Sequence, residues 1–151
     1  MDKITFFSPT SQIKFLNELD EKKLFQLVKN FYIPDLIDLN EEDESSPIDW
    51  YSPGLDCWIE SKCRTKHFDH LMIEKKKWDA LKEKRQSYYI CSTEEGVFEF
   101  DITSIVDEPV WDYDYFKKTT QFDNNKYIPK LQAKLSRYKS KQIKDFLFNG
   151  F

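Results

Sequence analysis

The chain lacks any long apolar run, and this absence limits the classes to which it can belong. No stretch approaches the ~20 apolar residues that a membrane-spanning helix needs. The first nine residues, Met-Asp-Lys-Ile-Thr-Phe-Phe-Ser-Pro, do not resemble a secretory signal peptide. Repeats, low-complexity segments and linkers are also missing. We therefore expect a single domain over residues 1–151, located in the cytoplasm and without a membrane partner.

Cysteine is scarce, with Cys57, Cys63 and Cys91 as its three positions. An odd number of cysteines without a secretory signal predicts reduced thiols rather than a disulfide framework. Cys63, His67 and His70 lack the paired short spacings of a structural zinc site. Aromatic residues, by contrast, make up 17% of the 151 residues, which is enough bulk for a substantial core.

Basic residues are absent from two long segments, 34–61 and 87–116, so the net charge of −4 is sorted into blocks. Residues 62–86 hold nine basic and four acidic groups, and residues 117–151 hold nine basic and two acidic groups. These two basic blocks are compatible with a surface that binds phosphates. The alternative for each block is an ordinary solvated face.

The stretch from Pro47 to Arg64 predicts two short strands joined at Ser52-Pro53-Gly54, because it is rich in Trp, Tyr and Ile. A loop of Pro53-Gly54, or of residues 52–55, gives paired residues whose numbers sum to 107. This register places Asp49 opposite Trp58 and one diagonal step, roughly 7 Å, from Glu60 on the same face. Strand alternation adds Lys62 to that face.

These residues carry a resemblance to a known family. Asp49 and, eleven residues later, Glu60-Ser61-Lys62 are similar to the D…(D/E)-x-K signature of the PD-(D/E)XK nuclease superfamily. Pro47-Ile48-Asp49 departs from the strict Pro-Asp pair by one inserted residue. The resemblance covers roughly residues 10–102. It implies an α/β fold of the restriction-endonuclease type, with a central mixed β-sheet flanked by helices.

The chemistry of the site follows from these residue types. Mg²⁺, or Mn²⁺ in its place, prefers oxygen ligands, and one or two carboxylates plus substrate phosphate suffice. We expect Asp49 and Glu60 to hold the ion, with the Ser61 carbonyl completing the set. Lys62 would orient or deprotonate the attacking water. Asp56 lies four residues before Glu60 on the same strand, about 13 Å away, which is too far to share the ion.

A helix is predicted over Leu71 to Gln86, and it places a lysine among apolar residues. On a helical wheel Lys77 falls between Ile73 and Leu81. A buried ammonium needs an anion or an exit to solvent. Lys77 is therefore either a helper that points at Asp49 and Glu60 or a lysine that leaves along the helix edge.

The remaining elements follow from capping and alternation. Helices are predicted over residues 9–18 and 20–31, strands over residues 87–93, 97–103 and 128–136, and a short helix over residues 140–149. A loop is expected over residues 119–125. Glu18 and Glu21 are interpreted as surface charges in preference to a further carboxylate for the metal site.

The function predicted from these features is a metal-dependent deoxyribonuclease of the bacterial cytoplasm, encoded by the host or a phage. It would act as a homodimer or be recruited by a protein partner. Two alternatives stay open: a catalytically silent protein of the same fold that binds nucleic acid or a protein, for instance in phage–host conflict, and an interaction module in which Glu60 and Lys62 form an ordinary ion pair. The predicted contacts to DNA are Arg64, Lys66, Lys75, Lys130 and Lys134.

Overall fold

The computed structural model describes residues 3–117 and 127–150, and for residues 114–117 and 127–129 it describes the backbone alone. The helices in these ranges are α1 (Pro9–Asn17), α2 (Glu21–Phe31), α3 (Lys75–Lys82) and α4 (Lys144–Leu147). The strands are β1 (Ile4–Thr5), β2 (Ile37–Asp38), β3 (Trp50–Ser52), β4 (Cys57–Cys63), β5 (His70–Glu74), β6 (Ser87–Thr93), β7 (Gly96–Asp101), β8 (Asp112–Lys117), β9 (Tyr127–Ser136), β10 (Lys141–Gln142) and β11 (Phe148–Asn149).

The largest sheet has six strands in the order β10-β7-β6-β4-β3-β2. Strands β4 and β6 run parallel, and the other neighbours run antiparallel. A parallel pair needs a crossover connection, and residues 64–86 provide it. The predicted mixed α/β fold with a central mixed sheet is therefore confirmed. Strand β6 is central, as predicted, and its consecutive residues Tyr89, Ile90 and Cys91 are all buried.

Two apolar layers cover the two faces of this sheet. On one face, helices α1, α2 and α4 pack over Trp50, Ile59 and Ile90. On the other face, α3 and β5 pack over Tyr89 and Phe100. Strand β5 itself belongs to a second sheet of three strands, in the order β5-β9-β8. The six-stranded sheet is thus the middle layer of the molecule.

The two N-terminal helices begin where the capping signals predicted. The Ser8 side chain accepts a hydrogen bond from the backbone of Ser11, and Pro9 is the first helical residue. Asp20 caps α2 in the same way, by accepting from the backbone of Lys23. The two helices are separate, which decides a point that the sequence left open.

The predicted register of the hairpin is wrong by two residues. Trp50 pairs with Ile59, and Ser52 pairs with Cys57, so paired numbers sum to 109 and not 107. The loop consists of residues 53–56, and its end is Asp56 with a φ of 48°. Asp35, from outside the hairpin, accepts from the Ser52 hydroxyl and the Gly54 backbone and so stabilises the loop in this position. A shift by two residues keeps every side chain on its face.

The predicted helix over 71–86 is also wrong in its first part. Residues His70–Glu74 form β5, and the helix covers only Lys75–Lys82. Leu71 and Ile73 are buried, while Met72 and Glu74, which alternate with them, are half-buried. This alternation is a strand pattern, but it is too short to be distinguished from a helix by periodicity. The partner that makes it a strand is β9, about sixty residues later in the chain.

The C-terminal part agrees with the sequence in one element and differs in another. Strand β9 confirms the predicted strand over 128–136. The predicted helix over 140–149 is reduced to the four residues of α4, with the short strands β10 and β11 on either side. The loop expected over 119–125 lies outside the described residues. Within the described ranges, no helix is long and apolar enough to cross a bilayer.

Candidate functional site

The carboxylates of Asp49 and Glu60 meet where β3 begins, beside the middle of β4. In the observed register Asp49, one residue before β3, lies across from Glu60. The two residues are only 8% and 5% exposed. Hydrogen bonds fix Asp49: its Oδ2 accepts from the backbone N–H and the hydroxyl of Ser61, both at 3.0 Å, and its Oδ1 accepts from Asn40 at 2.8 Å. The β3–β4 ladder ends at the pair Trp50 and Ile59, so the Asp49 carboxylate takes the place of a backbone acceptor for the Ser61 N–H.

Glu60 carries an unsatisfied oxygen. Its Oε2 lies 3.0 Å from the ammonium of Lys77, whereas its Oε1 is buried and has no hydrogen-bond partner among the described residues. Burial raises the pKa of Glu60 to about 8. The negative charge of Asp49 contributes to this rise, whereas the positive charge of Lys77 opposes it. Two carboxylates held this close favour a cation between them or a proton on one of them.

Lys77 comes from the first turn of α3, directly after β5 ends. Burial disfavours its charge, but the attraction of Glu60 outweighs burial and raises the pKa of Lys77. The ammonium therefore stays charged, and one third of the side chain is exposed. Lys77 meets Glu60, as one of its two sequence interpretations proposed, although the helix that carries it is shorter than predicted.

Lys62 is exposed and forms no hydrogen bond or ion pair with any residue in the described part of the chain. The Glu60–Lys62 ion pair that one alternative invoked does not form, since the partner of Glu60 is Lys77. The amine of Lys62 remains available for a phosphate or a water molecule. Its positive charge nevertheless acts on Glu21, where it opposes the rise in the pKa of that carboxyl.

Glu21, in the first turn of α2, is exposed, as the sequence predicted, but its carboxyl also interacts electrostatically with Asp49. Partial burial of its carboxyl raises the pKa of Glu21, and the Asp49 charge raises it further, while Lys62 and Lys77 act in the opposite direction. Glu21 thus belongs to the electrostatic neighbourhood of Asp49. No sequence signal distinguishes it from Glu18, because both are acidic residues near a helix boundary.

A cavity of about 330 Å³ near Asp49 is lined mainly by acidic residues, with Lys22 among them. Glu21, Asp38 and Glu41 line it, as does Asn40, whose amide donates to Asp49. These carboxylates attract cations to the neighbourhood of the buried pair. In the described ranges, no three His, Cys, Asp or Glu side chains are grouped so as to hold a metal ion.

The donor set at Asp49 and Glu60 fits a hard divalent cation such as Mg²⁺. All its donors are oxygens, and one of them, Glu60 Oε1, lacks a partner. Mg²⁺ keeps several waters and is bound through one or two carboxylates plus substrate phosphate, so it does not need a third acidic ligand. Ser61 contributes differently from the prediction, since its N–H and hydroxyl hold Asp49 in place. Its carbonyl as a metal ligand stays a prediction.

The five predicted DNA contacts do not form one patch. Lys75 pairs with Asp79 at 2.8 Å and lies over the Trp111 ring. Lys130 contacts Glu74 at 3.2 Å. The other three residues line two adjoining cavities beyond the end of β4, and these residues are Arg64, Lys66 and Lys134.

No family model, curated protein or solved structure matches this chain.

Proposed function

We propose that the protein is a metal-dependent phosphodiesterase that cleaves DNA, with the restriction-endonuclease-like fold of the PD-(D/E)XK superfamily. One observation carries the proposal: Glu60 is buried against Asp49 with one oxygen unsatisfied. A buried acidic pair destabilises the fold unless a cation or a proton joins it. A protein keeps such a destabilising pair most readily when the bound cation takes part in its function.

The residues divide into two roles. Asp49, held by Ser61 and Asn40, and Glu60, with its free oxygen, would bind Mg²⁺ or Mn²⁺. A divalent ion in this position polarises a phosphoryl group and lowers the pKa of water. Lys62 follows Glu60 on the same face, and its unpaired amine would orient the attacking water and offset negative charge on the phosphate.

DNA as the substrate rests on charge. The basic residues that follow Glu60 in the chain provide contacts for a polyanion beside an acidic centre that itself repels one. Since a domain of this size has little surface for recognition, we expect it to act as a homodimer or to be recruited by another protein. Localisation to the bacterial cytoplasm is likewise an expectation from the sequence.

A nicking assay tests the proposal. Supercoiled plasmid is incubated with Mg²⁺ or Mn²⁺ and the wild-type protein, or with Glu60→Ala or Lys62→Ala. We expect cleavage that requires the metal and falls by about 10²–10⁴-fold in each variant. Lys76→Ala, an exposed lysine on α3, is the matched control and should cleave normally. Cleavage that survives both site substitutions would contradict the assignment.

The Lys77–Glu60 ion pair favours a second candidate, a nuclease-fold protein that binds DNA or a protein without cleaving. In that case the Lys77 ammonium is a permanent substitute for the metal. Calorimetry separates the two candidates. An active site binds Mg²⁺ in the wild type and loses this binding in Glu60→Ala. A silent site gives the same weak heat for both proteins, because only the acidic loop contributes.

A further inference from the structure

Two adjoining cavities lie beyond the end of β4, where this strand meets β5 and β9. Their volumes are about 480 and 400 Å³, and both are lined by Arg64, Phe68, His70 and Met72. Together they form one space, which we name the β4–β9 cleft. Each volume is within the range of small-ligand sites, roughly 300–1,000 Å³.

Two buried polar groups in the wall of this cleft lack partners. Gln132 is 5% exposed, and its Oε1 has no hydrogen bond among the described residues. Arg64 donates from one amino group to the Met72 carbonyl at 3.1 Å, but its Nε is buried and unpaired. Unsatisfied buried groups are rare in folded proteins, since each retains the full cost of leaving water. Both residues line the larger cavity, so its wall holds an open acceptor and an open donor, which match a ligand that offers both, as the edge of a nucleobase does.

The rim of the cleft carries the other features of a nucleotide site. Phe68 is 64% exposed, so its ring is open to a ligand in the cleft. Lys66 and Lys134 are exposed cations on either side of it, with the acidic Asp69 also in the lining. Aromatic side chains beside lysines are the usual platform for unpaired nucleic acid, because the base stacks on the ring and the lysines contact phosphates.

The cleft is in line with the candidate metal site. Arg64 is the residue that follows β4, four residues beyond Glu60 and about 13 Å from it if the chain stays extended. The exposed and unpaired Lys62 lies between them. The carbonyl of Met72 accepts hydrogen bonds from both Arg64 and Tyr89, and Tyr89 is the ladder neighbour of Glu60. A DNA strand whose phosphate lies at Glu60 would therefore pass Lys62 and reach the cleft.

We propose that the β4–β9 cleft binds a nucleotide of an unpaired DNA strand, with Phe68 stacking on the base and Gln132 and Arg64 contacting its edge. This inference rests on the proposed function and adds its substrate class. A base within a duplex is stacked on both faces, so it cannot reach Phe68 unless it is flipped out. The substrate is therefore DNA with a single-stranded segment next to the cleaved phosphate.

The first test measures binding without cleavage. A fluorescein-labelled oligothymidine and a duplex of equal length are titrated with protein in EDTA and followed by anisotropy. We expect the single strand to bind more tightly than the duplex, and Phe68→Ala to weaken its binding by about fivefold or more. Phe7→Ala, another exposed phenylalanine, is the control and should bind normally. Equal affinity for duplex and single strand, or no effect of Phe68→Ala, overturns the proposal.

Salt dependence tests the cationic rim. Lys134→Ala should lower the slope of log affinity against log salt concentration by about 0.7, the value for one phosphate contact on a single strand. Lys14→Ala, an exposed lysine of α1, should leave the slope unchanged. A slope that is the same in Lys134→Ala and the wild type removes Lys134 from the site.

Gln132 allows a test that a purely structural residue would fail. Gln132→Met removes an unsatisfied amide, so it should raise the urea midpoint while weakening oligothymidine binding about fivefold. The matched control is Gln12→Met in α1, since Gln12 is 6% exposed and its Nε2 also lacks a partner. This control should gain stability without any change in binding. If Gln132→Met gains stability and binds normally, the amide has no role in the ligand site.

The two proposals fail in different ways. If the wild type binds oligothymidine through Phe68 but cleaves nothing, the cleft stands and the hydrolytic function fails. If it cleaves DNA through Glu60 while Phe68→Ala binds and cleaves normally, the hydrolytic function stands and the cleft fails.

Discussion

Glu60→Gln should stabilise the protein at neutral and alkaline pH, although it removes a residue that we place at the centre of the site. The pKa of Glu60 is about 8 in the folded chain, against 4.5 for an unperturbed carboxyl. Between these values the folded protein holds a proton that the unfolded chain releases. Stability therefore falls as the pH rises through this window. Glutamine has the shape of the protonated acid and avoids this loss.

The magnitude follows from the width of the window. From 4.5 to pH 7 is about two and a half pH units, and each unit is worth about 1.4 kcal/mol, so the upper limit is about 3 kcal/mol. Glu60→Gln also deprives Lys77 of its partner, but one third of the Lys77 side chain is exposed and regains water. We therefore expect a net gain of about 1–2 kcal/mol at pH 7 and almost none at pH 5.

Urea unfolding followed by tryptophan fluorescence measures this effect, because Trp50, the first residue of β3 in the hairpin, is buried in the core. With a slope of 1–3 kcal/mol per M, the expected gain moves the midpoint by roughly 0.5–1 M. Glu83→Gln, an exposed carboxylate of the same type, should not move it. Mg²⁺ at tenfold excess over Kd should raise the free energy of unfolding of the wild type by about 1.4 kcal/mol, and with it the urea midpoint. It should not change the midpoint of Glu60→Gln. A stability difference that does not change with pH would refute the reasoning.

Two further predictions concern the neighbours of Glu60. Lys77→Met should lose about 1–2 kcal/mol of unfolding free energy at pH 8.5 and little at pH 5, because Glu60 can protonate at the lower pH. Its affinity for Mg²⁺, measured by calorimetry, should rise because no ammonium competes with the ion. Lys75→Met, whose partner Asp79 is exposed, is its control, and equal losses in both variants would mean that burial plays no part. Ser61→Ala should lose about 1–2 kcal/mol in urea unfolding and bind Mg²⁺ more weakly, because Asp49 loses one of its donors. The exposed Ser104→Ala is the comparison, and a Ser61 variant that behaves like it would show that this hydrogen bond does not hold the carboxylate.

Sequence reasoning succeeded where the deciding interactions are local. The starts of α1 and α2 depend on Ser8 and Asp20, whose side chains bond to backbone three residues away. The shared face of Asp49 and Glu60 depends on alternation, which survives a register shift of two residues. It failed where a distant residue decides. Asp35 holds the hairpin loop in its observed position from seventeen residues away, and neither its sequence position nor its neighbours predicted that contact.

The chain by itself determined which side chains carry the chemistry. Two acids and a lysine at strand spacing are properties of order and alternation, and no tertiary contact is needed to read them. Tertiary structure alone decided which cation pairs with Glu60, how deeply the acids are buried, and that Leu71 and Ile73 form a strand. Those outcomes depend on β9 and α3 packing against β4, and the energy of such contacts comes from residues that are far apart in sequence.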